Sequence, residues 1–93
     1  MNEPRRIAQR HMASVYILKS VNFPKTYVGS TVDIDHRLKQ HNEGRSTFSK
    51  RYKPWIIVYR EEYGNLIEAR KREKYFKSAA GRRYIKKFIN IPR

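Results

Sequence analysis

Apolar and polar positions mark out a short series of elements. Ser14–Ser20 (SVYILKS) is dense in strand-forming residues. Alternation there sets Val15 and Ile17 on one face and Tyr16 and Leu18 on the other. Val21–Lys25 carries Asn22 and Pro24 and reads as a turn, and Thr26–Ser30 (TYVGS) reads as a second strand, so the two form a predicted hairpin. The period then changes. Asp33 is placed to cap a helix from about Ile34 to Glu43, with Gly44 as its stop. Ile34 and Leu38 give that helix an apolar side, which His41 continues. Arg45–Lys53 (RSTFSKRYK) reads as a polar, basic loop, and Trp55–Glu61 (WIIVYRE) as the strongest strand of the chain.

After a turn at Tyr63–Gly64–Asn65, Asn65 and Glu68 form a variant capping box that opens a helix to about Ser78. Ala79–Ala80–Gly81 is expected to break it. A last helix over Arg82–Ile89 is predicted to bury Tyr84, Ile85, Phe88 and Ile89, stopping near Pro92. The order is β-β-α-β-α-α. It implies an α+β fold, a three-stranded antiparallel sheet flanked by three helices, spanning residues 13–91. Residues 1–12 are polar and basic without periodicity and read as a flexible arm.

Charge adds the first functional hint. The 93 residues include 22 Lys and Arg against eight acids, a formal charge of +14. Such an excess repels itself and calls for a polyanionic partner. Aromatic residues make up 13% of the chain, which excludes a disordered basic tail. No run of about 18 apolar residues is present to span a membrane, and no basic amphipathic helix with a Trp/Leu face suggests surface binding. Nucleic acid is the expected partner, DNA first and RNA second, with a cytoplasmic location and a monomer or weak dimer. With no cysteine in the chain, disulfides, thiolate chemistry and Cys-based zinc sites are excluded.

One carboxylate breaks the helical pattern. Leu66, Ala69 and Phe76 recur at helical spacing, and Glu73 falls on the same stripe. A carboxylate there needs a cation or hydrogen bonds to stabilise it. Two explanations stand: an ion pair with a neighbouring Arg or Lys, or a ligand for a divalent metal. Glu68 lies roughly 500° around the helix from Glu73, so the two acids do not form a pair.

The elements together resemble a known family. Ser14–Val15–Tyr16 and Tyr27–Val28–Gly29 look like the paired signature of the GIY-YIG nucleases, with the first triplet departing at its glycine. Asp33–Leu38 and His41–Asn42 resemble the helix of that family, including an arginine, Arg37, ten residues after the second signature tyrosine. Pro54–Trp55 and Glu68–Lys77 resemble its later strand and its glutamate helix. The ending Gly81–Ile89 is similar to small bacterial members and to the nuclease module of the excision-repair incision subunit. That module carries a lysine directly after its second triplet, where this chain has Ser30.

The resemblance implies a metal-dependent phosphodiesterase. By it, Glu73 holds Mg²⁺ or Mn²⁺, which a single carboxylate with waters and substrate oxygen can do. Arg37 contacts the scissile phosphate with its planar guanidinium. Tyr27 orients or activates the attacking water, and Tyr16 is a second positioning hydroxyl. His41, one turn after Arg37, relays a proton or binds phosphate. Taken alone, His41 reads instead as an exposed helix-end residue whose charged form the helix dipole favours. Gly29 is expected to permit a close approach.

Grip on the substrate is expected from Arg45, Lys50, Arg51 and Lys53, and from Arg70, Lys74 and Lys77 on the later helix. Phe48 and Tyr52, interleaved with the first group, either stack on bases or pack under the sheet. Phosphate contacts do not read sequence, so low sequence specificity is expected, in a DNA repair or processing role. A second reading is a non-catalytic nucleic-acid binder that keeps the fold for its basic surface.

Overall fold

The computed structural model describes residues 12–91; the expected N-terminal arm therefore lies outside the described residues, apart from Met12. The elements are β1 (Ala13–Ser20), β2 (Thr26–Thr31), α1 (Ile34–Asn42), α2 (Thr47–Tyr52), β3 (Trp55–Tyr63), α3 (Leu66–Lys77) and α4 (Ala79–Phe88). The three strands form an antiparallel sheet in the order β2-β1-β3. The expected α+β architecture is present, with α2 as an added short helix.

The central position of β1 follows from its composition. All eight of its residues are buried, and its few polar groups find partners. Ser14 donates to Glu62, and Ser20 donates to the Tyr52 carbonyl. The Lys19 ammonium bonds the carbonyls of Ser20 and Phe23 at 2.6 and 2.7 Å, which closes the hairpin turn. The predicted alternation splits the core in two. Val15 and Ile17 pack with Phe76 and Ile89 under α3 and α4. Tyr16 and Leu18 pack with Ile34 and Trp55 under α1 and α2. β3 follows β1 with one register shift, where Ile17 pairs Tyr59 but Leu18 pairs Ile57, so Val58 is the extra residue of a bulge.

The segment expected to be a basic loop is helical over Thr47–Tyr52. Ser46 caps it by accepting from Ser49 N–H, while the Ser49 hydroxyl accepts from Ser46 N–H. This is a capping box closed by serine instead of the usual Glu or Gln. The helix sets Phe48 and Tyr52 on one side, with ring centroids 5.1 Å apart, and Phe48 stacks on Trp55 at 5.6 Å. Asn42 and the Trp55 backbone exchange two hydrogen bonds, which pins the end of α1 to the start of β3.

Two further expectations need correction. The break between the last helices is at Ser78, not at Ala79–Gly81, and Ser78 caps α4 by accepting from Gly81 N–H. Gly81 is buried against the backbone of Tyr75 and Phe76. That contact sets the inward face of α4 along Gly81 and Ile85, with Tyr84 beside them, and Ile89 is buried just past the helix as its extended C-cap. Phe88, expected in the buried stripe, is turned outward and is 63% exposed.

A polar network ties β3 to α3. Glu61 accepts from Arg72 Nε at 2.9 Å, from Tyr63 at 2.7 Å and from the Tyr59 hydroxyl. The Arg72 guanidinium lies 4.4–5.1 Å from the rings of Tyr75, Phe76 and Tyr84. Burial alone would raise the Glu61 pKa, but these donors outweigh it and hold the carboxyl below its ordinary value of 4.5. A depressed folded-state pKa stabilises the fold above 4.5, and that contribution is lost as pH falls through the folded value. Urea unfolding is therefore expected to show Glu61→Gln less stable than wild type by about 2 kcal/mol at neutral pH. The gap should narrow as pH falls through the folded value; a gap that stays constant from neutral pH into the acid range would contradict this account.

Candidate active site

The site is built around β2, an edge strand. Alternation points Tyr27 and Gly29 to the α1 side of the sheet and Val28 and Ser30 to the α3 side. Gly29 pairs with Tyr16 in register. A Cβ on Gly29 would lie 2.5 Å from Tyr16 Oη and 2.9 Å from Tyr27 Cε1. Only a glycine leaves room for both phenols, whose rings stack at 6.3 Å and 27°. The close approach expected of Gly29 is thus one of side chains onto a bare backbone.

Tyr16 is buried, and its hydroxyl is 3.3 Å from His41 Nε2. Burial pushes its pKa up to about 12, against the opposing influence of Arg37. It therefore stays protonated across the neutral range. His41 is not the exposed helix-end residue that its position suggested: it is 8% exposed and packs on Tyr27 at 4.5 Å. Burial, and then the Arg37 charge, lower its pKa below 6.5, opposite to the effect expected of the helix dipole. The imidazole is neutral near pH 7. Arg37 is exposed one turn before it, and a cavity of about 200 Å³ is lined by Tyr27, Arg37, Gln40, His41 and Arg45.

Glu73 reaches β2 from the other side of the sheet. Its Oε1 accepts from Ser30 Oγ, and its Oε2 accepts from Lys77 Nζ at 2.7 Å. Lys77 in turn sits 5.8 Å from the Tyr27 ring centroid. Of the two explanations for Glu73, the ion pair is therefore present. It is an i,i+4 pair with a half-exposed lysine, worth only about 0.3–0.5 kcal/mol, so it yields readily to a competing cation. Among the described residues no three Asp, Glu, His or Cys side chains gather as a metal cluster. The donor set at Glu73 is one carboxylate, which fits a hard ion that keeps most of its water.

Of the residues expected to hold nucleic acid, Arg45 and Lys77 line cavities at the site. Lys50, Arg51 and Lys53 are exposed on and just after α2, and Arg70 and Lys74 are exposed on α3, outside both cavities. Ser30 was visible in the sequence only as a departure from the family pattern. Its bond to Glu73 depends on strand and helix packing together, which neither segment signals alone.

The fold agrees with the comparisons. A family model described as the GIY-YIG catalytic domain matches residues 12–87. The chain belongs to the GIY-YIG family, a family of nucleases whose members generally depend on a divalent metal and act on nucleic acid. It is 30% identical over 73 residues to the UPF0213 protein SH2523 of Staphylococcus haemolyticus (strain JCSC1435), covering 77% of this chain and 88% of that protein. No solved structure matches it. No helix among the described residues is long and apolar enough to cross a membrane.

Proposed function

We propose that this chain is a metal-dependent endonuclease that hydrolyses phosphodiester bonds in DNA at the open edge of β2, with low sequence specificity, in DNA repair or processing. The observation that carries the reading is the position of Tyr27. It touches His41 and shares a cavity with Arg37 on one side, and it lies under Lys77, the partner of Glu73, on the other.

Arg37, exposed at the mouth of the cavity, grips the scissile phosphate with two parallel N–H donors. The Tyr27 hydroxyl orients the attacking water. Neutral His41, in contact with Tyr27, accepts a proton from that pair. Tyr16 remains protonated and fixes His41 through their shared hydrogen bond. Glu73, held by Ser30, would be the ligand for Mg²⁺ or Mn²⁺. Such an ion, when bound, neutralises phosphate charge and assists the leaving oxygen. Lys77, released from Glu73, is free to pair with phosphate. The excess charge of +14 supplies a grip that ignores sequence.

The Lys77–Glu73 ion pair is also what favours the second reading, a binder that no longer cuts. Incubating supercoiled plasmid with Mg²⁺ or Mn²⁺, with and without chelator, separates the two. Metal-dependent nicking that disappears in Glu73→Ala supports the nuclease. Intact plasmid with both proteins, at concentrations where both bind it, rejects the nuclease in favour of the binder.

A further inference from the structure

We propose that the apolar cavity sharing Tyr27 with the site receives one unstacked nucleobase of the substrate strand, beside the phosphate being cut; this rests on the nuclease reading above. The cavity measures about 590 Å³ and includes Tyr27, Val28, Phe48, Lys77, Arg82 and Ile85 in its lining. That volume lies within the roughly 300–1,000 Å³ of pockets that hold small organic ligands. Val28 and Ile85 in that lining are half-buried, and Phe76, also in it, is buried. Phe48 is 40% exposed, yet it is backed by Trp55 at 5.6 Å and braced by Tyr52 at 5.1 Å. A ring held in that way is a rigid stacking platform, and every base has a face that can use it.

Arg82 and Lys77, the latter in its weak pair with Glu73, are exposed at this apolar pocket, and no acid lines it. A flat apolar group attached to an anion is the chemistry the pocket complements, and a nucleotide has that chemistry. A second copy of the chain does not, because two surfaces of charge +14 repel. The cavity and the smaller one that holds Arg37 share Tyr27 in their linings. A strand whose phosphate sits against Arg37 thus brings a neighbouring base to Phe48, provided that base has left its stack. The favoured substrate is therefore nucleic acid that is unpaired, or easily opened, at the cut.

Equilibrium binding in chelator tests the pocket without cleavage. A short oligothymidylate is compared with an abasic oligomer of the same length and charge. The wild type is expected to prefer the oligothymidylate by about tenfold or more, the scale of one stacked base. Phe48→Leu should erase most of that preference while leaving the abasic affinity unchanged. Lys77→Gln combined with Arg82→Gln should weaken both ligands and flatten their salt dependence. Equal binding of the two oligomers by wild type overturns the proposal, and so does a preference that survives Phe48→Leu. Self-association that Phe48→Leu abolishes would assign the pocket to a second copy and also overturn it. A chain that binds with this preference but never cuts refutes the nuclease reading alone. A chain that cuts without any base preference refutes the pocket alone.

Discussion

Gly81→Ala is expected to lower the stability of the domain by about 3 kcal/mol, on the order of 15 °C in Tm for a chain of this size. A Cβ built on Gly81 lies 1.8 Å from the Tyr75 carbonyl oxygen and 2.6 Å from the Phe76 Cα. Both atoms are backbone of α3, so no side chain can swing aside to admit the methyl. The helices must part instead, and parting them loosens Tyr84 and Ile85 from the core that Phe76 anchors. Gly64→Ala is the control, because nothing lies within 4 Å of a Cβ at that bend. Urea unfolding of the two variants checks the claim. Equal midpoints for Gly81→Ala and Gly64→Ala would mean that α4 does not dock on α3 as described.

The second large effect is on catalysis. Arg37→Ala is expected to slow cleavage by roughly 10²–10³-fold, the usual loss when one charge-stabilising donor is removed from a reacting centre. Arg37 is exposed, so folding is untouched. Arg37→Lys keeps the charge but loses the planar fork, and should recover only part of the rate. Tyr27→Phe removes a single oxygen and keeps the ring packed on His41. It is expected to cost about 10²–10⁴-fold, because the hydroxyl orients the water whose proton His41 accepts. Single-turnover rates on a labelled strand measure all three. Wild-type cleavage by Tyr27→Phe would leave the hydroxyl without a role.

Much of this architecture was legible because local signals agreed with the fold. The alternation of SVYILKS assigned Val15 and Ile17 to one layer and Tyr16 and Leu18 to the other, as found. Asp33 and Asn65 both cap their helices by accepting the N–H three residues on. α2 was not legible, since its capping box uses two serines and its apolar face is only Phe48 and Tyr52. The outward turn of Phe88 was equally hidden. It follows from Gly81 packing on α3, a contact between helices that periodicity within one helix cannot report.

The site shows the same division. Tyr16, Tyr27, Arg37 and His41 were expected as neighbours from spacing that resembles a family, and β1, β2 and α1 do bring them together. The environment of each was not legible. Burial of His41 reverses the direction of its pKa shift relative to a free helix end. Glu73 stood out as an acid on an apolar stripe, but its partners come from β2 and from the next turn of α3. Ser30, occupying the position of a lysine in the excision-repair module, holds Glu73 by a hydrogen bond, while the nearest cation comes from Lys77.

The central claim is that Glu73 serves chemistry and not only the pairing of Lys77. Single-turnover cleavage of a labelled oligonucleotide at saturating protein and Mg²⁺, for wild type and Glu73→Gln side by side, addresses it directly. The expected result is affinity that does not fall, since Lys77 is freed, with cleavage by Glu73→Gln slower by about 10³-fold or more. Cleavage by Glu73→Gln at the wild-type rate would contradict the account.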